Sequence, residues 1–161
     1  MDAAHRAELL ERYRTGPGAV DAATGDLTAE ELDRRPADGG WTAREVIHHL
    51  GDSELISAVR LRMLVGQASP VIQGYDEMEL AGSLHYDTRP VEASLAAFRS
   101  AVQSTVDLLD RMTEEDWARS GRHTERGSYS VVDWLEIHAG HGHDHAAQIE
   151  RAAHPDPPAG S

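Results

Sequence analysis

The run His141-Gly142-His143-Asp144-His145 places two imidazoles four residues apart. On an α-helix four residues turn through about 400°, so His141 and His145 stack on one face and can share a metal ion. A second histidine pair, His48-His49, lies well upstream. A third imidazole drawn from that second helix completes a three-ligand site with open positions, which is the layout of catalytic rather than structural metals. A histidine on a helix is ordinarily a surface residue or a hydrogen-bonded core residue. An i,i+4 pair on a core-facing stripe, however, is costly to bury unless something compensates, and a metal is the obvious compensation.

The helical wheel narrows the choice of ligands. His49 shares a face with Val46, Leu50 and Ser53, whereas His48 lies about 100° away and points to a flank. His49 is therefore the candidate on that helix. His138 lies near the face of His141, but His138 and His145 are separated by roughly 10 Å along the axis and cannot hold one ion together. The pair is then either His138/His141 or His141/His145, with the spare ring lining a pocket. His143 faces away, and His5, His85, His123 and His154 carry no metal-binding pattern.

Composition removes most other chemistries. The 161 residues fit one domain with a real core. Residues 1–153 read as that domain and 154–161 as a disordered tail. Fifteen basic residues face 28 acidic ones, for a net charge of −13. A nucleic-acid backbone would be repelled, so no nucleic-acid partner is expected. The apolar stretches fall short of a membrane span and the first residues lack a basic-then-apolar leader, so the expectation is a cytoplasmic protein with no membrane partner. There is no Cys, which rules out a thiolate nucleophile or thiolate-bound zinc. All the basic residues are Arg, so Schiff-base chemistry and a phosphate-loop lysine are also excluded.

Capping signals delimit the elements that must position the rings. A helix runs from Asp2 to about Arg14, and Thr15-Gly16-Pro17-Gly18 breaks or kinks it before a stretch to about Thr24. Thr28 with Glu31 caps a short helix ending near Arg35, and Thr42 with Glu45 opens the longest one, to about Val65. Its inner stripe is Val46, His49, Leu50, Ser53, Ile56, Leu61 and Leu64. Residues 66–74 form a loop, and Asp76 caps a short helix between Tyr75 and Leu84. Pro90 stands at a first helical position and launches a helix to about Met112 with a stripe of Leu95, Phe98, Val102, Val106 and Leu109. Thr113 starts a short turn, and residues 119–129 suit a small hairpin. Ser130 caps a last helix that carries Trp134, Ile137, His138, His141, His145 and Ile149 inward. Four long amphipathic helices give an all-α bundle, with no repeat and no convincing strand pattern.

The segment from Asp38 to Ser53, with its Gly39-Gly40-Trp41-Thr42 lead into His48-His49-Leu50-Gly51-Asp52, resembles the N-terminal signature of the DinB-like (DinB/YfiT) superfamily. Arg60-Leu61-Arg62, Pro70 through Glu77, and His141 through Ile149 extend the resemblance in order and spacing over residues 28–151. The resemblance implies an up-down four-helix bundle that holds a divalent metal, zinc or nickel, through His49, His141 and His145. It also implies a homodimer. Relatives often carry an aromatic near Leu80 and at Gly140 and a further His near Gln148, which this chain lacks.

Three neutral imidazoles leave an ion's positive charge available to its remaining ligands, so a bound thiol or water loses its proton readily. The resemblance implies two uses of this: transfer of a small-molecule thiol of the mycothiol or bacillithiol type to an electrophilic substrate, or hydrolysis by activated water. A non-catalytic metal-binding stress module is the third reading. Asp52 and Asp144 each lie three residues beyond a candidate ligand and could orient an imidazole or accept a proton. Arg60 could hold an anionic group of the thiol, with His138 and Tyr75 at the pocket rim.

Overall fold

The computed structural model describes residues 1–155. Most of the tail expected at 154–161 therefore lies outside the described residues.

Four long rods make the bundle: α1 (Ala3–Thr24), α3 (Ala43–Gly66), α5 (Glu92–Leu109) and a last rod built of α7 (Val131–His138) and α8 (His141–Ala153). Short helices α2 (Ala29–Asp33), α4 (Glu77–Ser83) and α6 (Glu114–Trp117) lie in the connections. The expected capping boxes are present at Thr28/Glu31 and Thr42/Glu45, and further ones close at Thr113/Asp116 and Ser130/Asp133. Each ties the N-terminal amides of its helix to side-chain oxygens, which fixes where the helix begins.

Around the bundle the rods follow the order α1, α5, α3, α8, with α3 packed on both α5 and α8, and α1 packed on the same two. Chain neighbours α1 and α3 therefore stand on a diagonal. This order sets His49 of α3 beside His141 and His145 of α8. The core between the rods is apolar, built from residues such as Val46, Leu50, Leu61, Phe98, Val102, Trp134, Leu135 and Ile149.

Several elements differ from the sequence expectation. The break at residues 15–18 does not occur, and α1 runs unbroken through Pro17. Gly16 is buried there because α1 meets α8 backbone to backbone: a Cβ on Gly142 would lie 3.0 Å from Gly16 Cα. That close approach keeps the helix continuous past the proline, which forfeits one amide hydrogen bond. The last helix, by contrast, is interrupted at Ala139–Gly140. A Cβ at Gly140 would sit 3.0 Å from Arg12 Nε, so the glycine both weakens the helix and makes room for the arginine. Ile137 is exposed rather than inward. Helix α5 starts at Glu92, not at Pro90, because the Arg89 carbonyl is drawn onto α3 by Arg44 Nη1 (2.9 Å) and His48 Nε2 (3.0 Å).

A small sheet also forms. β2 (Ser120–His123) and β3 (Gly127–Ser130) make the expected hairpin, with Gly127 at φ +80°. β1 (Val71–Ile72) lies in the stretch expected to be loop and pairs parallel with β2, Val71 opposite Arg122. Arg122 and Thr124 donate backbone hydrogen bonds to Pro70 and Ile72. The sheet thereby fastens residues 70–76 beside the end of α3 and delivers Tyr75 and Glu77 toward the histidines. No helix among the described residues is long and apolar enough to cross a membrane.

Candidate metal centre

His49, His141 and His145 each turn a ring nitrogen into one small space, where the three nitrogens lie within 4.8 Å of one another. The ring centroids are 5.4 Å apart for His49 and His141, 4.8 Å for His49 and His145, and 4.5 Å for His141 and His145. Tetrahedral zinc with nitrogen ligands needs donors roughly 3.4 Å apart, within that envelope. Burial holds all three rings neutral. It pushes His49 down to about 4, with His145 adding to the effect, and His141 down to about 2. His145 is lowered too, by burial first and against the pull of its bond to Gln148. A neutral imidazole with a free lone pair is the state a divalent ion requires.

The rings are held from behind. His145 Nδ1–H donates to Gln148 Oε1 at 2.7 Å, leaving Nε2 for an ion. Gln148 thus performs the orienting role the sequence suggested for carboxylates. Asp144, expected at the metal face, is exposed and pairs with Arg12 of α1 at 3.0 Å. Asp52 pairs with Arg89 at 3.3 Å, beside Tyr86, and makes no hydrogen bond to His49. Both carboxylates are drawn off by arginines from other elements, which no spacing on one helix reveals. Trp41 packs edge-on against His49 at 5.2 Å and against Tyr86 at 6.4 Å.

Position separates His138 from His145: the ring of His145 meets His49, and that of His138 does not. His138 instead stacks on Trp134 at 5.1 Å and stands 5.8 Å from His141. Burial pushes it down to about 3. With His141 and the carboxylate of Glu54 it forms a second cluster whose candidate donor atoms also lie within 4.8 Å of one another. Sequence reasoning passed over Glu54. Its neighbours come from α1, α7 and α8, so only the folded bundle brings them together. His48, expected on a flank, is fully buried: the flank is the face on which α5 packs. Its Nε2–H donates to the Arg89 carbonyl, and its Nδ1 accepts from Ser94 Oγ at 2.8 Å. His143 does face away, with Nε2 3.1 Å from the Arg12 carbonyl.

A cleft of about 250 Å³ opens beside the histidines. Ser53, His138 and His141 form its floor, and Arg60, Tyr75, Glu77, His123, Arg126 and Tyr129 stand among its walls. Arg60 lies over the Tyr75 ring at 5.1 Å, donates to the Gln73 carbonyl, and has no ion-pair partner among the described residues. His123, which carried no pattern in the sequence, is buried against Tyr129 at 5.5 Å through the pairing of β2 and β3.

A family model for the DinB superfamily matches residues 12–149. The chain belongs to the DinB superfamily. One DinB relative, from Oceanobacillus iheyensis, is 39% identical over 124 residues, which is 77% of this chain and 72% of the relative. Another, from Bacillus cereus, is 32% identical over 133 residues, covering 83% and 76%. Both are provisionally named metal-dependent hydrolases. Among solved structures, YfiT from Bacillus subtilis superposes with a TM-score of 0.87 at 25% identity, covering 95% of this chain and 88% of YfiT. YfiT is described, in the same provisional way, as a metal-dependent hydrolase with an unusual four-helix bundle topology.

Proposed function

We propose that this chain is a metal-dependent enzyme in which His49, His141 and His145 hold one divalent ion, zinc or nickel, and that it transfers a low-molecular-weight thiol to an electrophile. The observation that carries the reading is the convergence of three neutral imidazoles, one buried and two half-buried, with His141 also lining an open cleft. The names of the DinB relatives support the metal dependence. An ion held by three neutral imidazoles supplies its full positive charge to lower the pKa of a thiol or water bound to it.

The chain's own residues favour the thiol. Asp52 and Asp144, the carboxylates nearest the ligands on their own helices, are held in ion pairs with Arg89 and Arg12 rather than hydrogen-bonded to the ligand rings. A thiol begins near a pKa of about 8.5 and water near 15.7, so the thiol needs far less help to ionise. The protein contains no Cys, and the sulfur must come from a cosubstrate. Arg60, without a carboxylate partner at the cleft wall, suits an anionic group on that thiol, and Tyr75 holds the guanidinium in place from below.

Hydrolysis is the second reading. Glu77 favours it, since its carboxylate lines the same cleft and acts on His145 electrostatically, which suits a base for water. The test is turnover with mycothiol, bacillithiol or glutathione and a chromogenic electrophile, set against ester and amide substrates without thiol. Thiol conjugation that needs the metal and disappears in His145→Ala supports transfer. Metal-dependent turnover of the ester or amide alone supports hydrolysis. Inactivity on every substrate, with the metal still bound, supports a binding module.

A further inference from the structure

Glu54 is 1% exposed, and no arginine or histidine pairs with it among the described residues. Among the described residues its one donor is Tyr13 of α1, whose hydroxyl donates to Oε1 and leaves Oε2 available. Buried carboxylates are ordinarily ion-paired or bound to a metal, because an isolated charge in an apolar interior is costly. Beside Glu54, in the second cluster, stand His138, 8% exposed, and His141.

The unmet polar atoms gather in the same region. Among the described residues, the sealed side-chain atoms with no hydrogen-bond partner are His138 Nδ1, His141 Nδ1 and Ser57 Oγ. Ser57 lies one turn beyond Glu54 on α3, and its carbonyl accepts from Trp134, the ring on which His138 stacks. Native proteins seldom leave such atoms unsatisfied, and one carboxylate with two imidazoles is a donor set that binds divalent transition ions. His138 and His141 also line the cleft, which gives an ion a way in.

We propose that Glu54, His138 and His141 form a second site for a divalent transition cation, joined to the three-imidazole centre through His141. Each site would take one ring nitrogen of His141, and filling both would require the ring to release its remaining proton to solvent. The proposal deepens the functional reading but depends on it only for the first ion.

The experiment is an anaerobic titration of metal-free, untagged protein with Co(II) alone, read by visible absorption and by bound metal per chain. The proposal predicts two ions in the wild type, one in Glu54→Gln, one in His145→Ala and none in His141→Ala. The single ions left in Glu54→Gln and His145→Ala should have different spectra. One ion in the wild type, retained in Glu54→Gln and lost in His145→Ala, overturns the second site and leaves the three-imidazole reading intact. One ion in the wild type, lost in Glu54→Gln and retained in His145→Ala, does the reverse. Circular dichroism checks the fold of each variant. His138→Asn probes the same site without disturbing Tyr13 and Glu54, and should also bind one ion.

Discussion

Gln148 and Asp144 flank His145 on the same helix, yet the fold gives them opposite tasks. Gln148 accepts the Nδ1 proton of His145, while Asp144 turns out to Arg12. Partners that orient a ligand imidazole typically contribute 10–100-fold to metal affinity. Gln148→Leu should therefore weaken zinc binding by about that factor, whereas Asp144→Asn should change it little. Competition titration against a chromophoric chelator measures both. Equal weakening by the two substitutions would return the orienting role to Asp144. The ligand spacing on one helix was legible in the sequence because it depends only on helical geometry. The direction of the carboxylates was not, because Arg12 and Arg89 reach them from elsewhere in the chain.

At the scale of elements, two glycines test how the rods are held. Gly18 sits on the exposed side of α1 with open space where a methyl group would stand, whereas a Cβ on Gly142 would lie 3.0 Å from Gly16 Cα and 3.2 Å from Phe98 Cζ. Gly18→Ala should stabilise the protein by about 1 kcal/mol through helix propensity alone. Gly142→Val should cost about 1–3 kcal/mol by overpacking, and should weaken metal binding by pushing α8 off α1 between His141 and His145. Urea unfolding decides the signs, and a stabilised Gly142→Val would contradict the close approach of the two backbones. The same distinction explains which elements the sequence disclosed. Thr28/Glu31 and Thr42/Glu45 mark helix starts through contacts three residues apart. β1 has two residues and finds its partner some fifty positions later, so no local pattern announces it. Gly16 read as a breaker because the residue that needs its small size, Gly142, belongs to another rod.

At the scale of the whole molecule, the bundle gathers titratable groups into its interior. Burial holds His49 at about 4 and His138 at about 3, while unfolded imidazoles titrate near 6.5. Below that value the unfolded chain binds more protons than the folded one, so the stability is present above about pH 6.5 and lost as the pH falls. Glu54, held up at about 7 by burial, acts in the opposite sense: acid relieves it. The difference between variants is therefore the informative quantity. Between pH 7 and pH 5, metal-free His138→Asn should lose about 2 kcal/mol less than the wild type, as measured by urea unfolding at both values. Equal losses would mean that His138 is not held neutral. The four-rod architecture followed from amphipathic periodicity. The ring order α1, α5, α3, α8, which sets α3 against α8 and makes a site at all, is a property of the complete fold. The most direct test of that site is an anomalous difference map from crystals of the protein grown with zinc and measured at the zinc edge. The account predicts a peak at about 2.1 Å from one ring nitrogen of each of His49, His141 and His145; a map with zinc elsewhere and none among these three rings would contradict it.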